Sequence, residues 1–277
     1  MIDDDIKKLR KEGHSYGEIS KIVKRSRKFV WKKSKDVKFS EHGKKRYHRE
    51  VKGIVNLIKP QNSKLTVSKI RVMGHILFDG MLTKSKEYHK IIRYINSSKE
   101  LISQFIKDVK EIYGLEPTAF EIEKGLNLPT YKVTFSSKLM YEDLIKYLSS
   151  YSTTKNISLP DSIINANKKL KLEFLRAFFN DEGSISANGR IMADLKSKNI
   201  LAQIVNMLKE FDLYFKMITY EDYKGKTYKI YLPKNYKNLR QAYELELFDK
   251  SIITHGHNIR RKKLDVLKEQ CEKLKNQ

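Results

Sequence analysis

The chain has 277 residues, a formal net charge of +24 and a pI near 9.8, and it is long enough for one large domain or several small ones. Its single cysteine, Cys271, excludes an intramolecular disulfide and a cysteine-rich zinc site. No run of eighteen apolar residues is present and the N-terminus is acidic, so neither a spanning helix nor a signal peptide is predicted. The charge favours a polyanion partner, with a membrane surface or ribosomal RNA as alternatives, and we expect an intracellular protein.

Residues 1–36 have the pattern of a small, basic, all-α domain. A helix is predicted over about 4–12, and a second helix begins after Ser15, whose capping box is completed by Glu18. A third helix follows a turn near Lys24. Five apolar residues have the spacing of a three-helix core: Ile6, Leu9, Ile19, Ile22 and Val30.

These three helices resemble the helix-turn-helix of resolvase-like and sigma-factor-like DNA readers. The resemblance implies that the third helix lies against DNA through its basic residues, which are Arg25, Arg27, Lys28, Lys32 and Lys33. The alternative is a basic helical hairpin that is only solvated or that docks on the next domain. Residues 37–59 are polar and without a clear period, and they are interpreted as a basic linker lying along phosphates.

A first α+β module is predicted over residues 60–155. Its expected elements are a helix over about 68–78, a strand over about 88–95, a helix from Ser98 to Gly114, a hairpin over 117–122 and 130–135, and a helix over about 141–148. The hairpin alternates apolar and polar residues strictly, which indicates a sheet with one buried face.

A second module over residues 156–250 repeats the same order. Its expected elements are a helix over about 168–181, a strand over 190–195, a helix over 197–211, a hairpin over 213–220 and 227–232 that turns at Lys224 and Gly225, and a helix over about 236–247. An αββαββα unit therefore occurs twice in one chain, so a monomer with an internal pseudo-dimer is expected.

Residues 251–277 are predicted to form a basic C-terminal segment with a helix over about 257–277. Four basic residues stand at the expected start of this helix: Arg260, Arg261, Lys262 and Lys263. Positive charge there opposes the helix dipole, so phosphate contact is one interpretation. Ordinary solvated surface is the other.

An apolar run that ends in an acid and a glycine occurs once in each module. The two runs are VMGHILFDG at 72–80 and LRAFFNDEG at 175–183. Each has helical spacing, a small third residue (Gly74 or Ala177), and a glycine that can end a helix. A small residue lets a second helix approach closely, so the two helices are expected to pack on each other.

Packing of these helices would bring the acids Asp79 and Glu182 within a few ångströms of each other. Two carboxylates so close together are costly unless cations bind between them. The recurrence at matched positions therefore predicts a metal site with oxygen ligands. The alternative is two ordinary core helices whose terminal acids are solvated.

Both runs resemble the LAGLIDADG motif of homing endonucleases, with Asp79 and Glu182 at the penultimate, metal-binding acid of the motif. The second run is the closer match, and the first has Leu77 where the motif has its earlier, non-catalytic aspartate. The resemblance covers roughly residues 60–250. It implies an α+β fold in which tandem αββαββα modules form a pseudo-twofold saddle, preceded by the small all-α helix-turn-helix domain.

The family implies a sequence-specific, divalent-metal-dependent double-strand DNA endonuclease of the homing type, cytoplasmic and DNA-associated. Mg²⁺ or Mn²⁺ would be held by Asp79 and Glu182, by the backbone carbonyls adjoining them at Gly80 and Gly183, and by the scissile phosphates. Such ions polarise a phosphoryl oxygen, activate water and stabilise the leaving oxygen. The family often has a basic residue where a strand meets the following helix, and Lys196 occupies that position in the second module.

The outward-facing hairpin residues of the two modules are the expected DNA contacts within the saddle: Lys132, Thr134, Lys229 and Tyr231. Two other functions remain open for the same fold. One is a DNA-binding transcriptional regulator that has lost cleavage, and the other is an RNA maturase that binds structured RNA. Two retained acids favour the endonuclease, because a protein that only binds DNA has no use for paired buried carboxylates.

Overall fold

Two units make up the chain, Met1–Lys59 and Pro60–Gln277. The computed structural model describes residues 2–47, 65–85, 89–125, 127–148, 151, 157–222, 225–256 and 258–276. Several sequence-based expectations lie outside these ranges: the linker beyond residue 47, the first residue of the strand at 88, Lys224 in the second hairpin turn, and the two ends of the tail at 257 and 277. No helix within the described ranges is long and apolar enough to cross a membrane.

Residues 2–47 of the first unit contain four short helices. They are α1 (Ile2–Lys11), α2 (Tyr16–Ile22), α3 (Arg27–Ser34) and α4 (Glu41–Arg46). The predicted capping box forms at the start of α2, because the Glu18 amide donates to Ser15 Oγ (3.2 Å) and the Ser15 amide donates to Glu18 Oε2 (2.7 Å). Buried Ile6, Ile19 and Val30 form the core of the unit.

Two expectations for this unit are wrong. Ile22 is 54% exposed and does not face the core; α2 ends at Ile22, and Val23 packs on the core from the following turn. The expected linker from residue 37 contains helix α4, which docks where Gly13 and Gly43 touch. A Cβ on Gly13 would lie 2.1 Å from the carbonyl oxygen of Gly43, so two glycines permit this packing.

The second unit holds the two modules in sequence. The first module consists of α5 (Val67–Asp79), β1 (Gly80–Ser85), β2 (His89–Asn96), α6 (Lys99–Tyr113), β3 (Ala119–Lys124), β4 (Pro129–Ser136) and α7 (Lys138–Leu144). After a short helix α8 (Asp161–Ile164), the second module consists of α9 (Lys168–Asp181), β5 (Gly183–Ile185), β6 (Ile191–Leu195), α10 (Lys198–Lys209), β7 (Lys216–Asp222), β8 (Gly225–Leu232) and α11 (Tyr236–Glu244).

Each module contains a four-stranded antiparallel sheet. The strand orders are β1-β2-β4-β3 and β5-β6-β8-β7, so the two sheets have the same topology. The α+β class and the internal repeat predicted from the sequence are confirmed. The first strand of each sheet was not predicted, because β1 and β5 start at the glycine directly after the acid and lack an alternating apolar pattern.

Gly80 shows why a glycine follows the acid. Its backbone is extended, with φ −113° and ψ −175°, so a left-handed conformation is not the reason. A Cβ on Gly80 would lie 2.5 Å from Cα of Ile76 and 2.9 Å from the carbonyl oxygen of Arg93. The chain therefore turns from α5 directly into β1 only if this residue has no side chain.

Helices α5 and α9 lie in the middle of the core of the second unit. Every residue from Val72 to Phe78 is buried. Towards the N-terminal part of α5, the guanidinium of Arg71 binds Asp108 of α6 through two hydrogen bonds (2.8 and 2.7 Å) and Glu173 of α9 through a third (3.0 Å). The bidentate contact lies within the first module, and the bond to Glu173 ties the two modules together.

The C-terminal segment differs from the expected continuous helix. Helix α12 spans Lys263–Lys275, and residues 258–262 before it are not helical. Ile252 and Lys262 form an antiparallel β-bridge, and Arg260 has a φ of 70°. The bridge places the start of α12, rather than a run of solvated basic residues, against the second module.

Candidate metal site and nucleic-acid interface

Helices α5 and α9 approach each other closely at the two small residues Gly74 and Ala177. A Cβ built on Gly74 would lie 2.7 Å from Cβ of Ala177. Toward the C-terminal end of α5, the ring of Phe78 packs on Phe174 and Phe178 of α9, with centroids 5.6 and 5.1 Å apart. The structure therefore brings the two predicted packing residues into direct apposition.

We expect Gly74→Ala to destabilise the second unit by about 1–3 kcal/mol, because the new methyl group overpacks the helix contact. Helix propensity alone would favour alanine by up to about 1 kcal/mol, so the sign of the effect reports the contact. Urea unfolding monitored by circular dichroism measures it. The control is Gly17→Ala in α2, where the nearest atom to a new Cβ is 3.9 Å away and no loss is expected. Adding Ala177→Gly should recover part of the Gly74→Ala loss, and full additivity of the two changes would contradict the contact.

Asp79 and Glu182 stand at the C-terminal ends of these two helices. Asp79 is the last residue of α5, and Glu182 is the C-cap of α9. Burial, then the charge of Asp181, raises the pKa of Asp79 from 3.8 to about 7. Burial, followed by the charges of Asp79 and Asp181, raises the pKa of Glu182 from 4.5 to about 9. Each carboxylate is therefore costly to ionise without an added cation.

A third acid, Asp181, is held by a polar network that also reaches Asp79. Its side chain is fully buried and bonds Nδ1 of His75 at 2.8 Å. The Tyr94 hydroxyl donates to Asp181 Oδ1 at 2.7 Å, and Nδ2 of Asn96 lies 3.2 Å from the same oxygen. Asn96 also donates to Asp79 Oδ2 at 3.1 Å. Asn96 thus joins the buried acid of the second module to the terminal acid of the first.

The electrostatics of this network favour a charged imidazolium. Burial lowers the pKa of His75, but the charge and hydrogen bond of Asp181, together with the charges of Asp108 and Asp249, outweigh burial, and the net effect is a raised pKa. Burial and the same carboxylate raise the pKa of the Tyr94 hydroxyl well above its ordinary value. Tyr94 therefore serves as a neutral hydrogen-bond donor.

This network breaks the symmetry of the helix pair. Counting from the paired small residues, Phe78 corresponds to Asp181 and His75 corresponds to Phe178. On one side Phe78 packs on Phe178, and on the other side Asp181 bonds His75. Sequence reasoning did not identify Asp181, His75, Tyr94 or Asn96. The reciprocal exchange of two aromatic residues for an acid and a histidine is the signal that could have found the first two.

Lys263 is the second feature that sequence reasoning missed. It is the first residue of α12 and only 8% exposed. Its Nζ donates to the carbonyl oxygens of Gly183 (2.6 Å) and Asn180 (3.2 Å). Burial lowers the pKa of this ammonium to about 8, although Asp181, Asp79 and Glu182 all act to raise it. The prediction that Lys263 lies on a solvated or phosphate-contacting surface is wrong.

A cleft of about 530 Å³ opens onto this cluster. Its lining includes Asp79, Asn96, Asp181 and Lys263, together with residues of the segment before α12 such as Thr254 and His255. Ser97, at the strand–helix junction of the first module, also lines it. Asp79 and Asp181 therefore face an open volume large enough to admit part of a ligand, whereas Glu182 does not line it.

Lys196, the predicted basic residue of the second module, is directed differently. Its Nζ lies 3.5 Å from the carbonyl oxygen of Gly225 at the start of β8. The ammonium that contacts the backbone carbonyls of Asn180 and Gly183 is that of Lys263. Lys196 stays a predicted catalytic residue.

The donor set fits a hard divalent cation only in part. Within the described ranges, no three His, Cys, Asp or Glu side chains form a metal-binding cluster. Asp181 is already hydrogen-bonded to three side chains, which leaves the carboxylates of Asp79 and Glu182. Two partly buried carboxylates with raised pKa values suit Mg²⁺ or Mn²⁺, which keep several positions for water and phosphate oxygens.

The outer face of the first sheet carries little free positive charge. Lys132 lies on this face but binds Glu121 and Glu123 of β3, each at 2.8 Å. Thr134 lies on the same face yet is only 9% exposed, and Nε of Arg93 donates to its hydroxyl at 3.3 Å. The expectation that Lys132 and Thr134 are free to contact DNA is therefore wrong in this structure, because neighbouring side chains occupy both.

The outer face of the second sheet is more basic and aromatic. Lys229 and Tyr231 alternate along β8 and are half-buried. Nζ of Lys229 lies 5.0 Å from the ring centre of Tyr220 on β7, and Tyr231 pairs with Lys216 in the sheet register. Lysines supported by tyrosines suit contact with phosphates and bases.

In the first unit, the basic residues predicted on the third helix lie on its exposed side or just before it. Arg25, Arg27, Lys28 and Lys32 are exposed, and Trp31 beside them is 49% exposed. Lys33 instead forms an ion pair with Asp3 at 2.6 Å. Four of the five predicted cations therefore share an open surface with an aromatic ring.

Three solved structures illustrate the similarity of this chain to known proteins. A structure of the homing endonuclease I-DmoI in complex with DNA and Mn matches with 18% identity and a TM-score of 0.49, covering 66% of this chain and 98% of that one. The homing endonuclease I-WcaI bound to its DNA recognition sequence matches with 18% identity and a TM-score of 0.45, covering 68% and 84%. Full-length DUF199/WhiA from Thermotoga maritima matches with 16% identity and a TM-score of 0.47, covering 78% and 64%.

All three likenesses lie below 20% identity and below a TM-score of 0.5. No family model matches the sequence. No curated protein matches it either.

Proposed function

We propose that this chain is a divalent-metal-dependent double-strand DNA endonuclease of the homing type. The observation that carries the proposal is the pair of partly buried acids, Asp79 and Glu182, at the ends of two helices packed through Gly74 and Ala177. Burial raises the pKa of both carboxyl groups. A fold gains nothing from such a pair unless a cation compensates it.

Asp79 and Glu182, with backbone carbonyls next to them, would hold Mg²⁺ or Mn²⁺. When bound, the metal supplies Lewis acidity toward a phosphodiester and a water of lowered pKa. The chain's own residues set the geometry: Asn96 orients Asp79 by a 3.1 Å hydrogen bond, and Asp181 is kept from the metal by His75 and Tyr94. The open cleft lined by Asp79 and Asp181 would admit the scissile phosphate.

DNA binding is supported by charge and by the two exposed surfaces. The net charge of +24 favours release of condensed counterions from phosphates. The outer face of the second sheet offers Lys216, Lys229 and Tyr231, and the first unit offers the exposed basic side of α3 as a helix-turn-helix contact. The first sheet contributes less, because Lys132 is held by two glutamates.

A DNA-binding regulator without cleavage is the second candidate function. The ammonium of Lys263 favours it, because this group donates to the carbonyl of Gly183, one of the backbone positions that a metal would use. In this alternative the lysine compensates the acids permanently and the saddle only binds DNA.

One selection separates these two functions. The purified chain is incubated with a randomised DNA library and Mg²⁺, and both the bound and the cut molecules are sequenced. The endonuclease proposal expects double-strand breaks at one defined position within the enriched site, absent when EDTA is added. Tight enrichment by binding without any cut molecule, in Mg²⁺ or Mn²⁺, would favour the regulator instead.

A further inference from the structure

Lys263 lies outside both repeated modules. It starts α12, which follows the second module, and the β-bridge between Ile252 and Lys262 fixes this start. The amide of Lys263 also donates to the carbonyl of Ser251 at 3.0 Å. The position of the residue is therefore set by the backbone, and its side chain enters the site from the C-terminal segment.

The hydrogen bonds of the Lys263 ammonium are at the end of α9, and its Nζ also lies 5.5 Å from the ring centre of Phe248. It donates to the carbonyls of Asn180 and Gly183, which flank Asp181 and Glu182 in sequence. It lines the same cleft as Asp79 and Asp181. A buried ammonium is costly to desolvate unless anionic groups compensate it, and the charges of Asp181, Asp79 and Glu182 all act on this one.

We propose that Lys263 is a built-in counter-ion of the acid cluster, supplied by the C-terminal helix, that partly takes the place of a second divalent cation. This inference deepens the proposed function, on which it rests. Lys263 acts as a positioning residue: it holds the turn that carries Glu182 and limits the net negative charge that the acids present to metal. Lys263 contacts the end of α9 in the second module, on the side of Glu182. The metal is therefore expected nearer to Asp79 of the first module than to Glu182.

Removing the charge of Lys263 is expected to strengthen metal binding rather than weaken it. Lys263→Met keeps most of the side-chain volume and removes the charge. The variant should bind Mn²⁺ about tenfold more tightly than the wild type, since a repelling cation has gone. Its metal-free melting temperature should fall by about 4 °C or more, because the acids lose compensation. Added Mn²⁺ should restore that loss.

The matched control is Lys262→Met. Lys262 is adjacent and exposed and pairs with Glu100 at 2.9 Å, so its loss should leave Mn²⁺ affinity and melting temperature near the wild-type values. A second variant guards against a merely structural effect. In the metal-free protein, Glu182→Gln should raise the stability more in the Lys263→Met background than in the wild type, whereas a packing defect alone would make the two changes additive.

Mn²⁺ binding is measured by electron paramagnetic resonance of the free ion, and melting by calorimetry with and without Mn²⁺. The counter-ion role of Lys263 is contradicted if the Lys263→Met variant binds Mn²⁺ with unchanged affinity. It is also contradicted if neither Mn²⁺ nor Glu182→Gln relieves the stability loss of that variant. If the wild type binds no Mn²⁺ but Lys263→Met does, the counter-ion is supported and the metal-dependent endonuclease fails. If the wild type binds Mn²⁺ and Lys263→Met binds it no better, the result is consistent with a metal-dependent endonuclease and contradicts the counter-ion role of Lys263.

Discussion

Asp79→Asn and Glu182→Gln should each lower the rate of DNA cleavage by about a thousandfold, while DNA affinity stays within a few-fold of the wild type. Each change removes an anionic oxygen from a site where charge stabilisation of the transition state is the main contribution. The remaining carboxylate alone cannot hold the ion in place. Single-turnover cleavage and gel-shift titration on the selected site measure the two effects separately.

The control for this prediction is Glu221→Gln, an exposed acid on β7, which should cut at the wild-type rate. Loss of binding in parallel with cutting would show that the acids support the fold rather than the chemistry. Retained cutting in either acid variant would contradict the proposed roles of both carboxylates.

The same two variants should stabilise the metal-free protein at alkaline pH. The pKa values of Asp79 and Glu182 are raised to about 7 and about 9, so the folded chain binds more protons than the unfolded chain above about pH 4. The free energy of unfolding therefore falls as the pH rises toward 9. At pH 8, Asp79→Asn should recover on the order of 1–2 kcal/mol, with allowance for partial exposure. Urea unfolding with EDTA at pH 5 and pH 8 tests the slope.

Asp181→Ala should destabilise the second unit by about 3–5 kcal/mol, the usual cost of removing one partner of a buried pair. The change leaves the imidazole of His75 and the hydroxyl of Tyr94 without their carboxylate in a closed environment. It also frees Asn96 from one of its two acids. Chemical unfolding monitored by circular dichroism measures the loss.

A control variant and a double variant show whether the stability loss of Asp181→Ala comes from the buried network. Asp161→Ala, at an exposed acid in α8, should cost less than about 1 kcal/mol. The double change Asp181→Phe with His75→Phe places the aromatic pair of the other side of the helix interface here. It should recover part of the loss, because a buried ion pair is often replaceable by apolar residues of similar volume. A cost below about 1 kcal/mol for Asp181→Ala would contradict the network.

The fold was predictable where local signals were strong. The bounds of α9, the capping box at Ser15, and the start and end of α6 at Ser98 and Gly114 follow from apolar period and capping chemistry alone. The repeat of the modules was visible because the same order of periods occurs twice. Strands β1 and β5 were missed because a close backbone approach at the glycine, rather than an alternating pattern, determines where they begin.

The site was predictable only in its repeated part. Matched motifs identified Gly74, Ala177, Asp79 and Glu182, since each has a counterpart. Lys263 has none: in sequence it is one of four consecutive basic residues, and only the β-bridge at Lys262 decides which of them is buried. Long-range contacts of this kind leave no local period or spacing to detect.

If Asp79 and Glu182 bind metal at one shared position, iron-mediated cleavage of the polypeptide will detect both helix ends at once. Fe²⁺ takes the place of Mg²⁺, and ascorbate with peroxide then generates radicals that break the nearby backbone. Our account predicts breaks near residues 79–80 and near 182–183 in the same sample, both suppressed by excess Mg²⁺ and both lost in Asp79→Asn. Breaks at only one of these places, or at neither, would contradict a metal position shared by the two helices.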